Sequence, residues 1–195
     1  CHTSDDTAGL ARWLRCGVDP NTIDADGDSH AGFKGVPLLF IAAHQGHGGL
    51  IDALVRSGAD VDQANTTNGW TSLLIAAVQG HLTVVTQLIA AGALVDKAEP
   101  DDNYTPLCMA AAKGHLTVTT KLVASGALVD KAVSDGTTPL WMAAQYGHLS
   151  VVTKLIAAGA DVDTARTTDG CTPLHIAAKN GHLTVVTKLI AAGAD

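Results

Sequence analysis

Residues 138–163 read Thr138-Pro139-Leu140-Trp141-Met142-Ala143-Ala144, then Gly147-His148, then Leu149 to Asp163, with Gly159-Ala160-Asp161 near the end. The same phrase recurs on both sides. Its opening returns as Thr71-Ser72-Leu73-Leu74-Ile75-Ala76-Ala77, as Thr105-Pro106-Leu107-Cys108-Met109-Ala110-Ala111 and as Thr172-Pro173-Leu174-His175-Ile176-Ala177-Ala178. The Gly-His pair falls at 46/47, 80/81, 114/115, 147/148 and 181/182, in steps of 34, 34, 33 and 34 residues. A period of this length marks units too small to bury an apolar face alone, which must stack on one another.

Local chemistry predicts two short antiparallel helices per unit. Thr-Pro opens the first: the hydroxyl accepts from an orphan amide, and proline is pre-set for the first helical turn. The glycine of each Gly-His pair ends it through a positive φ. On the second helix, Leu149, Val152, Leu155 and Ile156 build one apolar stripe, and Gly159 stops it. Runs such as Val151-Val152-Thr153 and Thr184-Val185-Val186-Thr187 are mediocre helix formers, so these helices depend on stacking. Paired alanines such as Ala143-Ala144 let the two helices approach closely.

These motifs resemble the ankyrin repeat, most fully over residues 172–195 and nearly as well over 105–130 and 138–163. The resemblance implies an all-α fold, an α-solenoid of stacked helix-turn-helix units with hairpin-like tips beside a concave surface formed by the first helices. One array is expected over residues 1–195: a half repeat over 1–21, an acidic inserted loop over 22–36 and five repeats over 37–195. In the half repeat, Leu10, Trp13, Leu14 and Gly17 precede Asp19-Pro20-Asn21, and Gly17 to Gly58 spans 41 residues instead of 33 or 34. The last repeat is cut short with no polar cap, which points to truncation of a longer protein or to self-association through that end.

The chain departs from the family pattern in places. Asp62, Asp96, Asp130 and Asp163 stand where the family often has asparagine. Only His175 keeps the family histidine after Thr-Pro-Leu; Phe40, Leu74, Cys108 and Trp141 replace it. The first full unit lacks Thr-Pro and reads Pro37-Leu38-Leu39-Phe40.

Composition narrows the function. Of 195 residues, 47% are hydrophobic but only 4% aromatic and 16% charged, with 32 alanines, so the core is made of many small contacts. The net charge of −7 argues against nucleic acid as a partner, because phosphate binding leans on clustered Lys and Arg. Residues 63–95 carry no Asp, Glu, Lys or Arg, yet their longest purely apolar run is Leu73–Val78, too short for the roughly 20 residues of a membrane span. Four cysteines, at 1, 16, 108 and 171, form no close pair and read as free thiols. With no segment resembling a signal peptide, an intracellular protein of the cytoplasm or nucleus is expected.

Nine histidines invite a metal reading, but His47, His81, His115, His148 and His182 follow the repeat. Equivalent residues of stacked helices lie about 10 Å apart, whereas metal ligands must sit within about 2 Å of one ion. Each ring is expected instead to bond backbone at the turn between units. The run Asp24-Ala25-Asp26-Gly27-Asp28-Ser29 resembles the start of a calcium loop, but its sixth place is Ser29 and its twelfth is Gly35, which leaves no bidentate carboxylate. No nucleophile motif, phosphate loop or cofactor fingerprint is present, so neither catalysis nor a cofactor is expected.

What varies between copies carries the remaining signal, since scaffold must repeat while a partner-facing surface is free to differ. Taking residues four apart on the first helix as one face gives the lines Trp70/Leu74/Val78, Tyr104/Cys108/Ala112, Thr137/Trp141/Gln145 and Cys171/His175/Lys179. Gln79, Lys113, Tyr146 and Asn180 lie beside them. From these, Trp70, Leu74, Val78, Tyr104, Cys108, Ala112, Lys113, Trp141, Gln145, Tyr146, His175 and Lys179 are the candidate partner-binding residues, with Trp141 the expected central anchor. The expected function is a non-catalytic module binding a protein or peptide. A targeting or regulatory arm of a larger enzyme or signalling protein and a self-associating spacer are the alternatives.

Overall fold

The computed structural model describes residues 19–21 and 36–195. Most of the expected half repeat and inserted loop, including the calcium-like run, therefore lies outside the described residues. The chain falls into two compact units, Cys1–Leu94 and Val95–Asp195.

All ten helices among the described residues are short, and no β-strand accompanies them. The first unit holds α1 (Leu38–Gln45), α2 (Gly48–Arg56), α3 (Ser72–Gln79) and α4 (Leu82–Ala90). The second holds α5 (Pro106–Lys113), α6 (Leu116–Ala124), α7 (Pro139–Gln145), α8 (Leu149–Ala157), α9 (Pro173–Lys179) and α10 (Leu183–Ala191). Each odd helix packs on the even helix that follows it. Within the second unit α5, α7 and α9 stack as one layer and α6, α8 and α10 as the other; within the first, α1 stacks on α3 and α2 on α4.

The caps follow the repeated letters. Thr71, Thr105, Thr138 and Thr172 each accept through Oγ1 from the amide three residues on, at 3.2–3.3 Å, and proline occupies the first turn of α5, α7 and α9. Pro37 opens α1 with no side-chain cap. Gly46, Gly80, Gly114, Gly147 and Gly181 have φ between 73° and 78°, the left-handed turn that sends the chain into the second helix.

Two ladders hold neighbouring repeats together. Nε2 of His81 donates to the His44 carbonyl (3.1 Å), that of His148 to Ala112 (3.0 Å) and that of His182 to Gln145 (2.9 Å). The aspartates that replace the family asparagine form the second. Asp62 accepts from the Leu94 amide, Asp96 from Leu128, Asp130 from Asp161 and Asp163 from Asp195, each at 3.1 Å. Asn21 does the same for the Asp60 amide at 2.6 Å, which gives it the role of those aspartates one repeat earlier.

The buried stripe of the second helix differs from expectation. Val151, Val152 and Leu155 are fully buried, whereas Leu149, in the first turn, is 38% exposed. Thr119 occupies the place of Val152 and is equally buried, yet its hydroxyl has no hydrogen-bond partner. Thr119→Val removes that orphan polar group at constant shape and is expected to raise stability by about 1–2 kcal/mol. The urea midpoint measures it; an unchanged or lowered midpoint would show that the hydroxyl is satisfied.

Candidate functional site

The candidate residues separate into three groups by burial. Leu74 and Cys108 are fully buried and Trp141 is 3% exposed. Trp70, Val78, Tyr104, Ala112 and Gln145 are half-buried, and Lys113, Tyr146, His175 and Lys179 are exposed. Leu74, Cys108 and Trp141 therefore offer no accessible side chain, which corrects the expectation that they face a partner and that Trp141 is its anchor.

The physical reason is helical geometry. Four residues advance an α-helix by about 400°, so a line drawn every four drifts by about 40° per step. In α5 and α7 the third residue after the capping threonine faces the next hairpin tip, not solvent. Trp141 Nε1 donates to the Cys171 carbonyl (2.9 Å), and the Arg166 guanidinium lies 4.6 Å from the Trp141 ring centroid. Cys108 Sγ reaches the Lys131 carbonyl at 3.5 Å, and burial pushes its thiol pKa up, the reverse of what a nucleophile needs. His175 is exposed at the same place in α9 and folds back on Thr172, whose amide donates to His175 Nδ1 at 3.3 Å.

The tips are small backbone hairpins, closed by Asn65 N–H to the Trp70 carbonyl in the first unit. In the second, Glu99, Val133 and Arg166 donate to Tyr104, Thr137 and Cys171. Successive tips of that unit also join, Ser134 N–H donating to the Asp102 carbonyl (2.8 Å) and Thr167 N–H to Asp135 (2.9 Å). Arg166 donates to both oxygens of Asp169, which holds that carboxyl at about 2. Tyr104 sits beside the joined tips; burial, then the charges of Asp102 and Asp135, raises its phenol pKa. Arg166, Asp169 and Glu99 were not among the expected site residues. The usable signal lay in the turn pairs Asp135-Gly136 and Asp169-Gly170.

Glu99, 4% exposed, accepts from the amides of Asp101 (2.8 Å), Asp102 (2.8 Å) and Tyr104 (3.0 Å). Burial alone raises its pKa, but these amides outweigh it and hold the carboxyl below the ordinary 4.5. A depressed carboxylate stabilises the fold above its unfolded pKa and loses that contribution as pH falls through the folded value. Glu99→Gln should therefore be less stable than wild type at pH 7, with the gap closing below about pH 4.5. Urea titrations at pH 7, 5, 4 and 3 test this; a gap that stays constant would contradict it.

The family comparison agrees with this geometry. A family model described as "Ankyrin repeats (3 copies)" matches residues 4–98, 39–132 and 107–195. The chain belongs to the ankyrin-repeat family. Among curated proteins nothing matches it. Ankyrin repeats are generally protein–protein interaction modules and typically non-catalytic. No helix among the described residues is long and apolar enough to cross a membrane.

In this ankyrin array the first helices of the second unit present a distinctive end. Lys113 and Tyr146 hold the same place, just before the left-handed glycine, and Lys179 lies one residue before that place in the next repeat. Tyr146, 55% exposed, stacks on His148 with ring centroids 6.2 Å apart. His148 in turn bonds the carbonyl of Ala112, and Asn180 Nδ2 bonds that of Gln145 (2.8 Å), so backbone bonds hold the three helix ends in one row.

Proposed function

We infer that the chain recognises a protein or peptide through the concave first-helix face, and that catalysis plays no part. The observation that carries this reading is Tyr146. In a chain with only 4% aromatics, a tyrosine stands 55% exposed on the layer whose other large apolar residues are buried or half-buried, with exposed lysines one repeat to either side. Tyrosine anchors interfaces at low entropic cost, and the rigid scaffold beneath it lowers that cost further. Half-buried Tyr104, Ala112 and Gln145 of the same unit supply supporting surface, and Trp70 stands at the tip and Val78 on α3 of the other unit. The free thiols of Cys108 and Cys171 suit a reducing intracellular compartment.

Capture of binding proteins from a lysate should fall at least tenfold with Lys113→Ala/Tyr146→Ala/Lys179→Ala. The control Thr120→Ala/Thr153→Ala, on exposed positions of the second helices, should leave it unchanged. Equal loss in both, or loss in the control alone, would contradict the choice of face.

A second reading, self-association, is favoured by Leu183 and Ile190, which are 74% and 57% exposed. Light scattering across a concentration range should then show growth that Leu183→Ser/Ile190→Ser abolishes.

A further inference from the structure

Charge in the second unit is sorted by place. Every acidic residue of Val95–Asp195 lies outside the helices, because α5 to α10 contain no Asp or Glu. Several of those carboxylates are engaged: Asp96, Asp130 and Asp163 in the repeat ladder, Glu99 inside its hairpin and Asp169 on Arg166. Asp101, Asp102 and Asp135 crowd the tips. The opposite ends of α5 and α9 carry Lys113 and Lys179, which have no ion pair within 4 Å among the described residues; Lys179 is near enough to Asp169 to lower its pKa slightly. A protein of net charge −7 thus displays, on its first helices, a short cationic row centred on an exposed aromatic ring.

Granted that the first-helix face is the binding face, we propose that the Lys113–Tyr146–Lys179 row takes an extended acidic segment of the partner. Two repeats separate the lysines, about 20 Å at about 10 Å per stacked helix. A peptide in the extended polyproline conformation advances about 3.1 Å per residue with three residues per turn, so carboxylates six residues apart share one face and reach both lysines, with an apolar side chain midway on that face against Tyr146. The segment runs along the row and not along the helices, because the latter course leads a negative chain onto Asp102 and Asp135, where like charges repel. His148 and the Ala112 and Gln145 carbonyl bonds fix the row beforehand, so little ordering is left for binding.

The test uses a capped heptapeptide with glutamate at its first and seventh places, phenylalanine at its fourth and serine elsewhere. Its binding to the full chain is followed by fluorescence anisotropy of a terminal dye and by amide shifts. The glutamate peptide should bind at least tenfold more tightly than its glutamine counterpart. Lys113→Gln/Lys179→Gln and Tyr146→Ala should each weaken it about tenfold, with unchanged circular dichroism, and added salt should weaken it too. The largest shifts should fall on residues 112–115, 145–148 and 178–181. Preference for a lysine peptide, shifts centred on Asp102 and Asp135, or no binding of the glutamate peptide at millimolar concentration would overturn the proposal. If Tyr146→Ala abolishes protein capture while glutamate and glutamine peptides bind alike, the acidic chemistry falls and the face survives. If neither variant alters capture, the face and the acidic segment fall together.

Discussion

Replacing Trp141 by alanine is expected to cost about 3–5 kcal/mol of stability, the range for deleting a large buried aromatic side chain. The indole is 3% exposed, its Nε1 donates to the Cys171 carbonyl at 2.9 Å and Arg166 covers its face at 4.6 Å. Truncation leaves a cavity between α7 and the last hairpin tip, an unpaired carbonyl at Cys171 and a guanidinium without its ring. Trp141→Phe keeps most of the packing but loses the donor, so a smaller loss of about 1–2 kcal/mol is expected. Urea denaturation measures both. Had Trp141 been a solvent-facing anchor, alanine would weaken partner binding and leave the urea midpoint unchanged.

Gly147→Ala should destabilise by about 2–4 kcal/mol, although it adds one methyl group. Its φ is 73°, a conformation that costs an L-residue about 1–2 kcal/mol. A Cβ there would also lie 2.6 Å from Nδ1 of His182, the ring whose Nε2 bonds the Gln145 carbonyl at 2.9 Å. The histidine must move, and the ladder bond goes with it. Gly159→Ala separates the two costs: its φ is 89°, but nothing lies within 4 Å of the added carbon, so only the backbone part, about 1–2 kcal/mol, should appear. In a double-mutant cycle, His182→Ala should recover part of the Gly147→Ala loss, because the clash is gone. Additive losses would mean that ring and glycine do not press on each other.

The same two positions show what a sequence of this kind reveals. Left-handed glycines and the histidine period are local chemistry repeated five times, and threonine caps four times, so the helix pairs were legible in the sequence alone. The burial of Trp141 was not: it depends on a carbonyl 30 residues away, at Cys171, that belongs to the next repeat's tip. Variation between copies marked Leu74, Cys108 and Trp141 as surface, yet all three are buried, and Cys108 and Trp141 each meet a different tip, so core residues vary too. Asp62, Asp96, Asp130 and Asp163 looked like neutral departures from a family pattern. They bond the amide 31 or 32 residues on, a partner that no local window contains. For Lys113 and Tyr146 the opposite held, because the place just before the turn glycine is exposed in all three copies of the second unit, Lys113, Tyr146 and Asn180; Lys179 is exposed one place earlier, where Ala112 and Gln145 are half-buried.

The most direct test of the central claim, that repeated letters build the stack while the exposed helix ends meet the partner, is a photo-crosslinking scan. A benzophenone amino acid is placed singly at Tyr146, at Trp141 and at Thr153, and each chain is irradiated with a captured partner. Crosslinks from position 146 alone are predicted, position 141 being buried and 153 lying on the other helix layer. Crosslinks concentrated at position 153, with none at 146, would contradict the account.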